Sequence, residues 1–261
     1  MSESMIVASR EDDIFIIQLN RPQKFNALNN EIRTEIVQAI DSIRHDQSVR
    51  AVLIWGGNQV FAAGADIEEM LARTPMEAMR QINDAPDITE ALASLRQPTV
   101  AAIAGLALGG GLEFAMAADI RIAASSAILG QPEINVGLIP GGGGTQRLSR
   151  LVGLSKAKEM ILLGERIDAF EALRIGLVNK VVAPEDLLNE AKSLARRLAA
   201  KPMWASRLAK LVIDRGYDAD ISQGVTMELL AFSAAFGTPD QREGARAFME
   251  KRQAEFTGAT R

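Results

Sequence analysis

Short β-branched runs alternate with helical stripes as far as Thr145, and from there helices take over almost to the end. That order predicts an α/β core carrying a helical extension. Ile14 to Leu19 reads as a strand, and Met5 to Ser9 can pair with it across a polar Arg10-Glu11-Asp12 turn. Asn29 to Arg44 puts Ile32, Ile36, Val37, Ile40 and Ile43 on one stripe, with asparagine capping the start. Ala51 to Trp55, Thr99 to Ala104, Asp119 to Ala124, Ala127 to Leu129 and Leu177 to Val182 read as further strands. Asp66 to Leu95 reads as helical, interrupted at Pro75 and Pro86. Asp168 caps a helix that Gly176 closes. Pro184 to Ala200, Met203 to Arg215, Ile221 to Phe236 and Gln241 to Glu255 read as helices. We divide the chain into a core over 1–200 and a helical C-terminal region over 201–261.

Composition removes several classes of chemistry. The 261 residues contain no cysteine, so disulfides, thiolate nucleophiles and thiolate metal sites are out. The single histidine, His45, lies in a polar helical stretch and reads as a surface residue. It cannot build a multi-histidine metal site, and no serine elbow accompanies it. Net charge is −4, which offers nucleic acid no bulk attraction. Met1 to Asp13 has no apolar h-region, and the longest uncharged run, Gln97 to Leu112, falls short of the roughly 20 apolar residues of a spanning helix. A protein of the cytoplasm, without a membrane partner, is the expectation.

Three glycine-containing segments carry the chemistry. In ALGGGLEFAMAAD, residues 107 to 119, glycines lead into a helix that is apolar on every face except at Glu113. A helix apolar all round is buried, which would place a carboxylate inside the protein near a helix N-terminus. Glycines admit a ligand to the main-chain amides, and those amides suit a developing oxyanion. Taken alone, the segment fits a tight turn with a solvent-facing acid slightly better. In GQPEINVGLIPGGGGTQRL, residues 130 to 148, Pro132 stiffens the chain before Glu133, and Gly141 to Gly144 opens a helix at Thr145. No Lys-Ser or Lys-Thr follows, so this is not a phosphate loop, and neither glycine cluster has the dinucleotide-binding spacing. In FAAGADIEEM, residues 61 to 70, small residues around Gly64 precede a helix and present the amides of Ala65 and its neighbours.

Two acids and two amide-presenting turns form a coherent set for adding water across a C=C bond conjugated to a thioester. A base activates water, an acid protonates the α-carbon, and amide donors hold the enolate oxygen. Acid–base groups contribute roughly 10²–10⁴-fold and an oxyanion donor about 10²–10³-fold. No metal or redox cofactor is needed for this.

Taken together the segments resemble the enoyl-CoA hydratase/isomerase (crotonase) superfamily, from about Ile14 to Phe256. Leu19-Asn20-Arg21-Pro22 followed by Asn26-Ala27-Leu28 is similar to the family's N-terminal signature. The resemblance implies oxyanion amides at Ala65 and Gly110 and a hydratase acid pair at Glu113 and Glu133, twenty residues apart. Both acids would hold the water and Glu133 would deliver the α-proton. It also implies Gln131 and Gly141 at the cavity and Ala63, Asp66 and Ile67 along the CoA. Phe232 and Lys251 match positions through which a neighbouring subunit reaches the CoA. Many relatives carry lysine where this chain has Glu68, and Lys24 is the candidate substitute. Met70, Met76 and Met79 fall in the acyl-lining region, or in the core. The implied fold is a spiral of ββα units whose C-terminal helices trimerise, often as a dimer of trimers. The implied activity is a hydro-lyase acting on 2-enoyl-CoA, with CoA part of the substrate. An isomerase or another crotonase-fold acyl-CoA lyase is the nearest alternative, although isomerases of the family usually lack the acid at the Glu113 position. An RNA-binding relative is a second alternative, against which the net charge argues.

Overall fold

The computed structural model describes residues 4–71, 74–77 and 87–258. Ile6–Glu11 (β1) and Ile14–Leu19 (β2) form an antiparallel hairpin in which Glu11 faces Ile14. The turn is therefore Asp12-Asp13, later than the tripeptide read from sequence, and Asp12 takes the left-handed conformation that short polar side chains tolerate. From β2 the sheet continues in parallel through Ala51–Trp55 (β3), Thr99–Ile103 (β4), Ile120–Ala124 (β6) and Lys180–Val182 (β9). The last strand is shorter than the expected 177–182.

A parallel sheet must bury both faces, and its strands divide their residues accordingly. Ile17, Leu19, Val52, Ile54, Ala101 and Ile103 enter one core, together with Ile32, Ile36, Ile40 and Ile43 of helix α1 (Asn30–Ile43). The alternate residues Ile14, Ile16, Ala51, Leu53, Val100 and Ala102 enter the other. There they meet Leu187, Ala191, Ala195 and Ala199, the i+4 stripe of helix Leu187–Ala199. The Asn29 side chain accepts the Ile32 N–H and so caps α1 as the sequence predicts. Pro75, read as an interruption, instead opens a helical turn. Thr74 and Glu77 exchange side-chain and backbone hydrogen bonds across it, the reciprocal capping pattern with proline at the first helical position. Pro86 and Met79 lie outside the described residues.

A second, three-stranded sheet sits beside the first: Leu106–Leu108 (β5), Ile128–Gly130 (β7) and Arg166–Asp168 (β8). Leu108 pairs with Gly130 in the parallel β5–β7 ladder, and Gly109 N–H donates to Gly130 O over 2.9 Å. Two further strand-like contacts extend this layer. Ala62 pairs with Ala107, and Leu28 with Ala65, through bonds such as Leu108 N–H to Ala62 O at 3.0 Å and Leu28 N–H to Gly64 O at 2.8 Å. Four distant segments thus reach one edge. Asn26 fastens the first of them: its buried Nδ2 donates to the carbonyls of Gly56, Val60 and Phe61, while its Oδ1 accepts from Arg21 N.

The remaining helices are Ile67–Leu71 (α2), Ile88–Ala93 (α3), Gly110–Met116 (α4), Gly144–Val152 (α5), Leu154–Leu163 (α6), Ala169–Arg174 (α7), the sheet-covering Leu187–Ala199 (α8), Met203–Tyr217 (α9), Ile221–Ala235 (α10) and Pro239–Glu250 (α11). Helix α4 lies against the Ala62 backbone so closely that a Cβ on Gly111 would overlap the Ala62 carbonyl and sit 2.8 Å from the Ala62 Cβ. Glycine at 111 is therefore required by the approach of α4 to the 62–65 segment. Gly111→Ala should destabilise the protein by about 1–3 kcal/mol, as overpacking does. Gly141→Ala, whose new methyl meets nothing within 4 Å, should change stability by less than about 0.5 kcal/mol. Parallel thermal melts check the contrast, and equal melting temperatures would contradict the proposed contact.

Candidate active site

The small sheet explains how acids far apart in sequence meet. Strand β5 runs into Gly109 and α4, whose first turn carries Glu113, and its parallel neighbour β7 runs into Gln131, Pro132 and the 3₁₀ turn Glu133–Val136. Gly109, at φ +50°, makes the change of direction, and a Cβ there would lie 2.9 Å from Glu133 Oε1. The Glu133 carboxylate therefore lies over the turn that starts α4.

Glu113 is 4% exposed in a helix whose other residues from Gly111 to Met116 are all buried. The solvent-facing alternative is thereby excluded. Its charge is met by backbone: Gly142 N–H and Gly144 N–H both donate to Oε1, over 2.8 and 2.7 Å. Burial pushes the Glu113 carboxyl above the usual carboxylate range, opposed by these two amides and by the positive charges of Arg33 and Arg147. Glu133 is less well compensated. Burial, with the neighbouring Glu113 charge as a smaller contribution, pushes it up to about 7, against its own backbone N–H. Gln131 is wholly buried, and with its amide turned to donate, its nitrogen lies 3.0 and 3.2 Å from the two Glu133 oxygens. Two carboxyls in neighbouring but unequal environments are the arrangement that separates a base from an acid.

The backbone nitrogens of Ala65 and Gly110 lie close to one another. Ala65 N lies 3.7 Å from where a Cβ on Gly110 would stand, and Gly110 N lies 3.9 Å from the corresponding position on Gly64. Both residues are half-buried, so a ligand atom can reach them. Gly110 opens α4, and an N–H in a first turn has no partner inside the helix. Ala65 pairs with Leu28 in a parallel bridge, in which Gly64 supplies the carbonyl. A thioester oxygen placed between the two amides would also have the glutamates beside it.

The other expected residues divide into those near this centre and those elsewhere. Ala63 belongs to the same turn, its N–H donating to Phe25 O over 3.0 Å. Asp66 spends its carboxylate on Arg21, at 2.7 Å, and on the Glu68 N–H that begins α2. The Arg21 bond holds its carboxyl below the usual range despite burial. Ile67 is 50% exposed, and Phe25 and Leu71 are exposed as well. Lys24 does stand beside Glu68, paired over 3.1 Å with both side chains exposed. Gly141 is exposed, and it is the next glycines, 142 and 144, that hold Glu113. Met70 is half-buried and Met76 exposed. Phe232 lies exposed on α10, edge-on to Phe236 with ring centres 5.2 Å apart, and Lys251 ends α11 in a left-handed cap. His45 is on the surface. Arg33 and Arg147 were not singled out in the sequence. Arg147 follows the glycine run directly, in Gly-Thr-Gln-Arg, where the run itself reads only as a flexible helix opening.

Comparison with known proteins gives a consistent result. The enoyl-CoA hydratase/isomerase family model matches residues 9–259. A crotonyl-CoA hydratase of Syntrophomonas wolfei is 43% identical over 257 residues, 98% of this chain and 99% of that protein. A short-chain-enoyl-CoA hydratase of Clostridium acetobutylicum is 43% identical over 256 residues, 98% of each. Among solved structures, an enoyl-CoA hydratase from Bacillus anthracis superposes with a TM-score of 0.93 at 37% identity, covering 98% of this chain and all of that one. Matched by the family model over residues 9–259 and 43% identical to full-length relatives, the chain belongs to the enoyl-CoA hydratase/isomerase family.

Proposed function

We propose that the protein is an enoyl-CoA hydratase, adding water across the 2,3-double bond of a 2-enoyl-CoA to give the 3-hydroxyacyl-CoA. The observation that carries this reading is the placing of two unequal carboxyls beside a pair of accessible amides. The thioester oxygen lies between Ala65 N–H and Gly110 N–H, which stabilise the negative charge it gathers as the double bond is attacked. Glu113, ionised and held by two amides on Oε1, takes a proton from the water through its other oxygen. Glu133, protonated, gives its proton to the α-carbon. Gln131 orients Glu133. Chemistry of this kind calls for no metal or redox cofactor, CoA being part of the substrate.

Several finer features belong to the same proposal. The CoA runs past Ala63 and Ile67, with the Lys24–Glu68 pair beside it. Straight short acyl chains are the default substrate, as in the relatives' names. Copies of the chain assemble through α9 and α10, where Leu211, Ile213, Ile221, Leu229, Leu230 and Phe232 are all more than half exposed. Trimers or dimers of trimers would cover them and bring Phe232 and Lys251 of one subunit to the CoA of another. Among the described residues no helix is long and apolar enough to cross a membrane, and the cytoplasm is the proposed location.

Three outcomes are expected. Glu113→Gln and Glu133→Gln should each slow crotonyl-CoA hydration, followed by loss of enoyl absorbance, by about 10²–10⁴-fold; two variants with wild-type turnover would remove these residues from the chemistry. The active pair carries a single proton, because the base must be ionised and the acid protonated. kcat/KM should therefore be bell-shaped and fall above about pH 7 as that proton leaves Glu133. Hydration exchanges no net proton, so dehydration of the 3-hydroxyacyl-CoA must show the same profile; a flat profile through this range would contradict the paired-proton scheme. Light scattering should give a mass of three or six chains, and a monomer would refute the assembly.

A further inference from the structure

We propose that Arg147 is a positioning residue for Glu113, locking the glycine loop over the carboxylate so that both amides stay on one oxygen. This rests on the hydratase reading and extends it to a residue outside the acid pair and the oxyanion turns. The Gly142 and Gly144 amides hold Glu113 only while the loop keeps its shape, and a run of four glycines has no stiffness of its own. Arg147, on the first turns of α5, reaches back so that Nη1 donates to Gly142 O over 3.0 Å. The guanidinium also lies across Gly143, at φ +93°, with Cζ 3.3 Å from the position a Cβ there would take.

 A Cβ at 143 would collide with Nη1 outright. The absence of a side chain at 143 is what lets the guanidinium close down on the loop.

The other arm of the fork, Nη2, lies 3.9 Å from Glu90 Oε2 at the start of α3. One planar group thus spans the loop and a neighbouring helix, which a lysine's single ammonium cannot do. The Arg147 side chain is 25% exposed, so its charge is partly sheltered from solvent and acts on the site as well. The charged groups around Glu113 are Arg33 from α1, Arg147 from α5 and Glu133 from the 3₁₀ turn, with Glu90 and Asp87 of α3 beside Arg147. Removing Arg147 takes away positive charge and loosens two donors, and both changes favour the protonated form of Glu113.

The test compares Arg147→Gln and Arg147→Lys in the full-length protein. Arg147→Gln should lower kcat for crotonyl-CoA by roughly 10–100-fold, the scale of a small misplacement of a reacting group, with KM changed far less. The acid limb of its pH profile should move upward. Arg147→Lys restores the charge but not the fork, so its acid limb should return toward wild type while kcat stays low. A purely structural arginine would lower the melting temperature and leave kcat per folded molecule and the acid limb unchanged, which would overturn the proposal. Should Arg147→Gln not fold, the Lys variant decides alone: wild-type kcat overturns the proposal. A ¹³C titration of the Glu113 carboxyl, assigned by its loss in Glu113→Gln, reads the same coupling without substrate. An upward shift in Arg147→Gln alongside a wild type that does not hydrate crotonyl-CoA would refute the hydratase reading and keep the arginine's role. An unshifted carboxyl with an active wild type would do the reverse.

Discussion

A carboxylate buried in an apolar helix is the constraint on which the rest of the structure depends. Glu113 is surrounded by residues that offer it no hydrogen bond, and an ion in such a place is unfavourable unless partners are brought to it. The partners come from the loop at 142–144, which must be glycine both to approach the carboxylate and to turn. A Cβ on Gly142 or Gly144 would stand 2.8 Å from a Glu113 oxygen. Both amides converge on Oε1, which under the proposed mechanism would hold the base while leaving its second oxygen for chemistry.

The contrast with Glu133 follows from the same reasoning. Burial, opposed by its own backbone N–H and helped by the smaller push of the Glu113 charge, raises it to about 7. In the proposed chemistry Glu133 supplies the proton and Glu113 the lone pair, and Glu113 is the one with two loop amides on its carboxylate. The small sheet sets this difference in place, since it carries one acid at the end of β5 and the other at the end of β7, two strands that pair in parallel.

Much of this was legible in the sequence, for physical reasons that can be named. The helix from Gly110 to Met116 shows its burial because it is apolar all round, and Glu113 stands out against it. The strands of the main sheet are strong β-branched runs, and the stripe of α1 is regular. By contrast, β5 and β8 are three residues each, too short to show a period, and their pairing is decided by neighbours far along the chain. The hairpin turn was misplaced because Glu11 is polar yet extended, its side chain taken by Lys192 and Arg196 of α8. The pairing of Asp66 with Arg21 could not be read from the sequence, since only the fold brings the two together. The glycine run at 141–144 announced a turn without revealing which amides would point inward.

The bonds that assemble the site join residues distant along the chain: Leu28 to Gly64, Ala62 to Leu108, Gly109 to Gly130, and Glu113 to Gly142 and Gly144. Each closes a long loop, which carries an entropic cost before any contact repays it. Assembly of the site is therefore a late event in folding, of the slow kind expected for non-local topologies. During synthesis, a growing chain that ends before the second glycine run has its buried acid without its amides, so the reactive centre matures only after the chain has passed that run.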